Sequence, residues 1–215
     1  MKITKIQIII IFLILFSFVV ALYFYPRLPD TMASHWNIKG EVDGYISKCS
    51  GAFLMPLVSL FMFLLFLLIP KIDPLKKNYE KFRKYFDGFI LILILFLFYI
   101  YLLSLFWNLG YRFNMGQLMM PALGFLFFYS GILIKNAKRN WFVGIRTPWT
   151  LSSDKVWDKT HKLGAILFKT AGIIAFLGIF FPDYIFSVLI VPLITSVIFL
   201  FFYSYFEYKK ETNSS

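Results

Sequence analysis

Cysteine is almost missing from this chain. Cys49 stands alone, which excludes an intrachain disulfide and any multi-cysteine metal site. It reads as a small packing residue near a helix start. Histidine is nearly as scarce, with only His35 and His161. Charge is thin as well: 15% of residues are Asp, Glu, Lys or Arg, where soluble domains carry about 25%. Acid is the scarcer sign, with 11 Asp and Glu against 22 Lys and Arg. HExxH, Walker A and CxxC sequences are all absent, so the zinc-protease, P-loop and dithiol chemistries have no framework here.

Apolar surface is what the chain has in excess. Hydrophobic residues make up 60% of it, 28 residues are Phe, and the mean hydropathy is +0.74. A soluble fold of 215 residues could not hide that much apolar surface, but a bilayer accepts it. A spanning helix needs roughly 20 mostly apolar residues to cross about 30 Å of hydrocarbon. Six stretches qualify: 6–25, 51–69, 88–107, 115–134, 163–181 and 184–206. The first is expected to be a retained helix and not a signal peptide. It is 20 residues long, against about 7–15 for a signal h-region, and no small-residue cleavage site follows it. The expected fold is therefore all-α, a polytopic membrane helix bundle, with residues 1–215 forming a single membrane domain.

Lys and Arg give the expected orientation, because cytoplasmic segments retain them. Seventeen cations fall before the first stretch, between the second and third, between the fourth and fifth, and in the tail. Four (Arg27, Lys39, Lys48 and Arg112) fall in the alternate segments. That alternation predicts six helices with both chain ends in the cytoplasm, an external loop at 26–50 and a cytoplasmic loop at 135–162. The net charge of +11 then points to anionic headgroups and not to nucleic acid.

Inside the six stretches the only ionisable group is Lys169. A cation- or proton-coupled pump normally uses a midplane carboxylate, so its absence argues against one. Lys169 lies about 9 Å inside its stretch at 1.5 Å per residue. It either snorkels to the interface or holds an anionic ligand or lipid. Pro56, Pro121 and Pro192 sit within helices, where each frees a carbonyl and can bend the helix.

The two long loops hold the residues suited to recognition. In the external loop, His35, Trp36 and Asn37 precede Gly40, Asp43 and Lys48. Pro26, Pro29, Gly40 and the Asp43–Gly44 pair predict turns, so the loop folds on itself. It reads either as a binding surface with a Trp anchor or as a cap on the helix ends. Asp30, His35, Glu41 and Asp43 match no metal-ligand spacing. In the cytoplasmic loop, Asn140, Gly144, Arg146, Thr147 and Trp149 precede Trp157 and His161. Arg146 with Thr147 can hold a carboxylate or phosphate; alternatively Trp141, Trp149 and Trp157 form an interfacial belt. Ser152 or Ser153 is expected as an N-cap, with Asp154 in the first turn. On that helix Trp157, His161 and Gly164 share one face. No catalytic residues are identified and no cofactor is expected, since His35 and His161 fall on opposite sides of the bilayer.

These two loops resemble the SdpI immunity-protein family of multi-pass membrane proteins. The run from Leu28, Pro29 and Asp30 to His35-Trp36-Asn37, Gly40, Asp43-Gly44 and Lys48 resembles that family's N-terminal domain of unknown function. Asn140, Phe142 and Gly144-Ile145-Arg146-Thr147-Pro148-Trp149-Thr150, with Trp157 downstream, resemble its C-terminal signature. The resemblance implies immunity to a secreted membrane-active peptide toxin met outside. It also implies a DNA-binding autorepressor held at the membrane inside. A small-molecule or lipid transporter or binding protein, motivated by Lys169, Arg146 and the helix prolines, is the alternative. A membrane enzyme would need a His161–carboxylate contact, with Asp154 or Asp158 the only near candidates.

Overall fold

The computed structural model describes residues 3–37 and 39–213. Among these residues six helices are long and apolar enough to cross a membrane, and this is a multi-pass membrane protein. The long helices are α1 (Lys5–Phe24), α2 (Lys48–Ile72), α3 (Tyr79–Asn108), α4 (Met115–Asn136), α6 (Asp154–Leu177) and α7 (Ile185–Asn213). A short helix, α5 (Pro148–Ser152), precedes α6. Two strands, β1 (Thr31–Trp36) and β2 (Val42–Ser47), form an antiparallel hairpin between α1 and α2.

Because the spanning helices alternate in direction, the hairpin and the 109–114 connection share one end of the bundle. The described termini and the segments 73–78 and 137–153 share the other, which also carries most of the Lys and Arg and is called here the cationic end. Lys2, counted with those cations, lies outside the described residues.

Helix ends are set by local chemistry. Thr4 caps α1 through a capping box with Gln7, and Ser47, Asn114 and Ser153 cap α2, α4 and α6 with their side-chain oxygens. Several helices run further than the apolar stretches: α2 at both ends, α7 to Asn213, α3 at its start, and α6 at its start as the Ser153 cap implied. α3 begins at Tyr79 rather than 88, because Tyr79, Phe82 and Phe86 form a buried stripe that packs beside α1 and α2. α6 begins at Asp154 and ends at Leu177, and two 3-10 turns over Gly178–Phe180 and Pro182–Tyr184 lead into α7.

Packing links α1, α2 and α3 into one group, joined through α3·α4 to the α4–α6–α7 row. The closest pair is α4 and α6. Gly124 and Gly131 of α4 are seven residues apart, as are Ala165 and Gly172 of α6, so each pair repeats one face every two turns. A Cβ at Gly124 would fall 2.7 Å from the Gly172 carbonyl oxygen. In lipid, where tails are as apolar as Leu, such small residues let backbones approach and gain dispersion contacts. α7 packs mainly on α6 and leaves most of its apolar surface outward, as a lipid-facing helix does.

The proline in α2 shows how a freed carbonyl is satisfied. Pro56 has no N–H for the carbonyl of Ala52, and the buried Tyr101 hydroxyl of α3 donates to that oxygen at 2.8 Å instead.

Candidate functional sites at the two ends of the bundle

At the hairpin end, the apolar side of β1 drives docking. Met32 and Leu28 are buried with Ala21, Ala52, Tyr101 and Leu105 from α1, α2 and α3, and Ala33 is buried as well. Asn108, at the last turn of α3, clamps the strand. Its Oδ1 accepts from the Ala33 N–H at 2.7 Å and its Nδ2 donates to the Ala33 carbonyl at 3.0 Å. Trp36 packs edge-on against Trp107 with centroids 5.5 Å apart, and the Arg112 guanidinium lies 3.9 Å from the centre of the Trp107 ring.

The hairpin divides the expected recognition residues into two kinds. Asn37 builds the turn: its Oδ1 accepts from the N–H groups of Lys39 and Glu41 at 2.9 and 3.0 Å, and its Nδ2 donates to Glu41. Gly40 follows at φ +79°, a conformation that side chains resist. Gly40 lies in the turn as expected, but Asp43–Gly44, also expected as a turn, lie within β2, where Gly44 pairs with His35 beside a break in register. The turn sits at Asn37 to Gly40 because the Asn side chain organises it. His35 and Asp43 point outward and touch, Nδ1 to Oδ1 at 2.5 Å. Lys48 reaches back, 4.0 Å from Asp30 and 5.2 Å from the Tyr25 ring centre. Among the described residues no cluster of His, Cys, Asp or Glu could hold a metal.

At the cationic end, residues 137–147 fold around Asn140, which is fully buried. Its Oδ1 accepts from the N–H groups of Phe142 and Val143 and from the Tyr79 hydroxyl, at 2.9, 2.6 and 3.1 Å. Its Nδ2 donates to the carbonyls of Lys138 and Val143, both at 2.8 Å. All of its hydrogen-bonding capacity goes into shaping the loop. Asp73 holds the same loop from α2's end, accepting from the Trp141 and Leu75 N–H groups at 2.9 and 2.6 Å.

Trp157 and His161 form the wall behind it. Their rings stack at 3.8 Å. The Trp157 indole donates to the Ala137 carbonyl at 2.9 Å. His161 Nδ1 lies 2.8 Å from the Trp157 carbonyl, and its Nε2 accepts from the Ile145 N–H at 3.0 Å. These partners fix the proton on Nδ1 and occupy both nitrogens. Gly144 presses on this ring at φ +116°. Asp154 pairs with Arg139 at 2.8 Å and Asp158 with Lys138 at 3.4 Å, so the carboxylates weighed as partners for His161 are engaged elsewhere.

Thr147 caps α5 and meets Ser204 of α7, oxygen to oxygen, at 3.0 Å. Trp149 lies edge-on to Phe201 and Tyr205 of α7 at 5.1 Å each. Arg146 is exposed and donates to the Trp141 carbonyl at 2.8 Å. Lys169 is apart from this group: it lies half-buried on the α4 side of α6, its ammonium 5.8 Å from the Phe128 ring centre.

Residues 136–204, which carry this loop, α6 and most of α7, match the SdpI/YfhL protein family. Residues 12–60, which carry the hairpin between α1 and α2, match a domain of unknown function, DUF1648. Immunity protein SdpI of Bacillus subtilis (strain 168) is 28% identical over 211 residues, covering 98% of this chain and 99% of the relative. The chain is thus similar to an SdpI immunity protein along nearly its whole length. No solved structure matches.

Several residues that build these two ends of the bundle gave little sign in the sequence. Asn108 sits at the end of an apolar run, and nothing in its neighbours marks it as a clamp. Asp73 had a signal, an acid followed by Pro74 after a helix, which favours a turn. Glu207 stands just past the last apolar stretch; it binds Lys159 of α6 at 2.5 Å and Lys210 at 3.1 Å. Asp87 was excluded by one residue from the third stretch. It is buried, accepting from Thr4 at 2.9 Å and Gln7 at 3.2 Å, with Arg83 at 3.8 Å.

Proposed function

We propose that this protein is an SdpI-like immunity and signalling protein of the cell membrane. Its hairpin faces outward to meet a secreted membrane-active peptide, and its cationic end lies in the cytoplasm. One observation carries the reading: the likeness to Immunity protein SdpI runs from one end of the chain to the other, 98% of this chain and 99% of the relative. The charge asymmetry supports the orientation.

Trp36, Asn37 and Gly40 hold the hairpin together, so the outward groups His35, Asp43 and Tyr45 are the ones offered to a toxin. The loop around Asn140 and Arg146 is the corresponding face for a DNA-binding repressor held at the membrane. The role needs no catalytic group.

The test is survival of a toxin-sensitive cell that expresses the protein. Wild type should protect it. A variant with His35, Asp43 and Tyr45 all changed to Ala should reach the membrane at the wild-type level and lose most of the protection. Undiminished protection by that variant would remove the hairpin as the toxin surface. No protection by the wild type would remove the immunity reading.

A further inference from the structure

At the cationic end a cleft of about 330 Å³ opens between α1, α2 and α3. Its two walls differ in chemistry. Phe66, Leu67 and Pro70 of α2 and Phe86 and Ile90 of α3 make an apolar floor. Lys71, Lys76 and Lys77 stand at the rim, at the turn where α2 ends and α3 begins. All three are exposed, and among the described residues none pairs with a carboxylate.

Of the two acids lining the cleft, Asp87 is committed to Thr4, Gln7 and Arg83, which leaves the exposed Glu80 facing several cations. Pro70 also removes the N–H that would bond the Phe66 carbonyl, loosening the α2 backbone on the cleft wall. The cleft therefore sits where the apolar run of α2 gives way to lysines, the level at which headgroups meet acyl chains.

We infer that this cleft binds an acidic phospholipid, with the headgroup phosphate on Lys71, Lys76 and Lys77 and an acyl chain against Phe66, Leu67 and Phe86. A free phosphate would satisfy the rim and leave the apolar floor bare. A zwitterionic lipid would fill the floor but bring no net negative charge to the rim. Only an anionic amphiphile matches both walls. The site is independent of what the hairpin binds.

The test uses the full chain purified in a neutral detergent, with melting temperature titrated against added lipid. Phosphatidylglycerol should raise it, while phosphatidylcholine and inorganic phosphate at the same concentration should not. In the variant with Lys71, Lys76 and Lys77 changed to Ala, half-saturation should need at least about tenfold more phosphatidylglycerol. A charge-matched control, with Lys84, Lys135 and Lys162 changed to Ala, should titrate like the wild type; these three are exposed and lie away from the cleft. A third variant, Leu67→Trp, fills the floor and should weaken binding while leaving the rim intact.

Equal loss in the two lysine variants would mean unspecific attraction and overturn the proposal. So would a shift reproduced by inorganic phosphate or by phosphatidylcholine, or a wild type that phosphatidylglycerol does not stabilise.

Discussion

Replacing Gly144 by Ala tests the arrangement of the cationic-end loop. The change has two separable costs. Gly144 holds φ +116°, which an L residue adopts at a cost of about 1–3 kcal/mol. The added Cβ would also lie 2.3 Å from His161 Nε2 and 3.3 Å from the Trp157 ring. His161 cannot simply turn away, because it is stacked on Trp157 at 3.8 Å and bonded through both nitrogens. Moving it breaks the bond from the Ile145 N–H and leaves that donor unsatisfied, which costs about 1–3 kcal/mol more. Together the loss is on the order of 2–6 kcal/mol.

A double-mutant cycle separates the two parts. In a His161→Ala background the obstacle is gone and Gly144→Ala should cost only the backbone part, so a coupling of about 1–3 kcal/mol is expected. The measurement is equilibrium unfolding in mixed micelles, followed by Trp fluorescence. A Gly144→Ala protein as stable as wild type would refute the reasoning. So would one that loses the same amount in both backgrounds.

Two further outcomes follow from the helices. Tyr101→Phe leaves the buried Ala52 carbonyl without a donor and should cost about 1–3 kcal/mol in the same unfolding assay; adding Pro56→Ala restores a helical N–H to that carbonyl and should recover most of the loss, and no recovery would contradict the assignment. Cys49 is the chain's one thiol and is exposed in the first turn of α2 at the hairpin end, so a membrane-impermeant maleimide should label it in intact cells. Labelling only after permeabilisation would reverse the proposed orientation.

The six spanning helices were legible because a bilayer imposes a length and composition that any single stretch reveals. The Ser153 cap and the shared face of Trp157, His161 and Gly164 were legible because they are local, set by spacing along one helix. What could not be read was whatever depends on two distant segments meeting. The hairpin turn was misplaced for a different, local reason. It is made by Asn37 and not by Asp43–Gly44, because side-chain bonds to Lys39 and Glu41 outweigh a generic turn preference. The extension of α3 to Tyr79 was hidden by its charges: Lys81 and Lys84 occupy the exposed face, while Arg83 lies with Tyr79, Phe82 and Phe86 on the other, against the buried Asp87. Trp157 looked like part of an interfacial belt, yet it is buried, because only the fold supplies the Ala137 carbonyl for its indole.

The matched segments, 12–60 and 136–204, flank α3 without including it. Yet α3 touches both recognisable loops. At one end Asn108 holds Ala33 of the hairpin, and at the other Tyr79 donates to Asn140, the centre of the cationic-end loop. Between them Asp87 ties α3 to the start of α1, and Tyr101 closes the gap left by Pro56 in α2. Each of these ties is a single polar side chain at a set height on an otherwise interchangeable apolar rod. Lipid-facing positions on such a rod accept many apolar residues, while Tyr79, Asp87, Tyr101 and Asn108 each meet a specific polar partner. The surfaces by which this chain is recognised are therefore held in place by a helix whose constraint is the spacing of four residues, and not a motif.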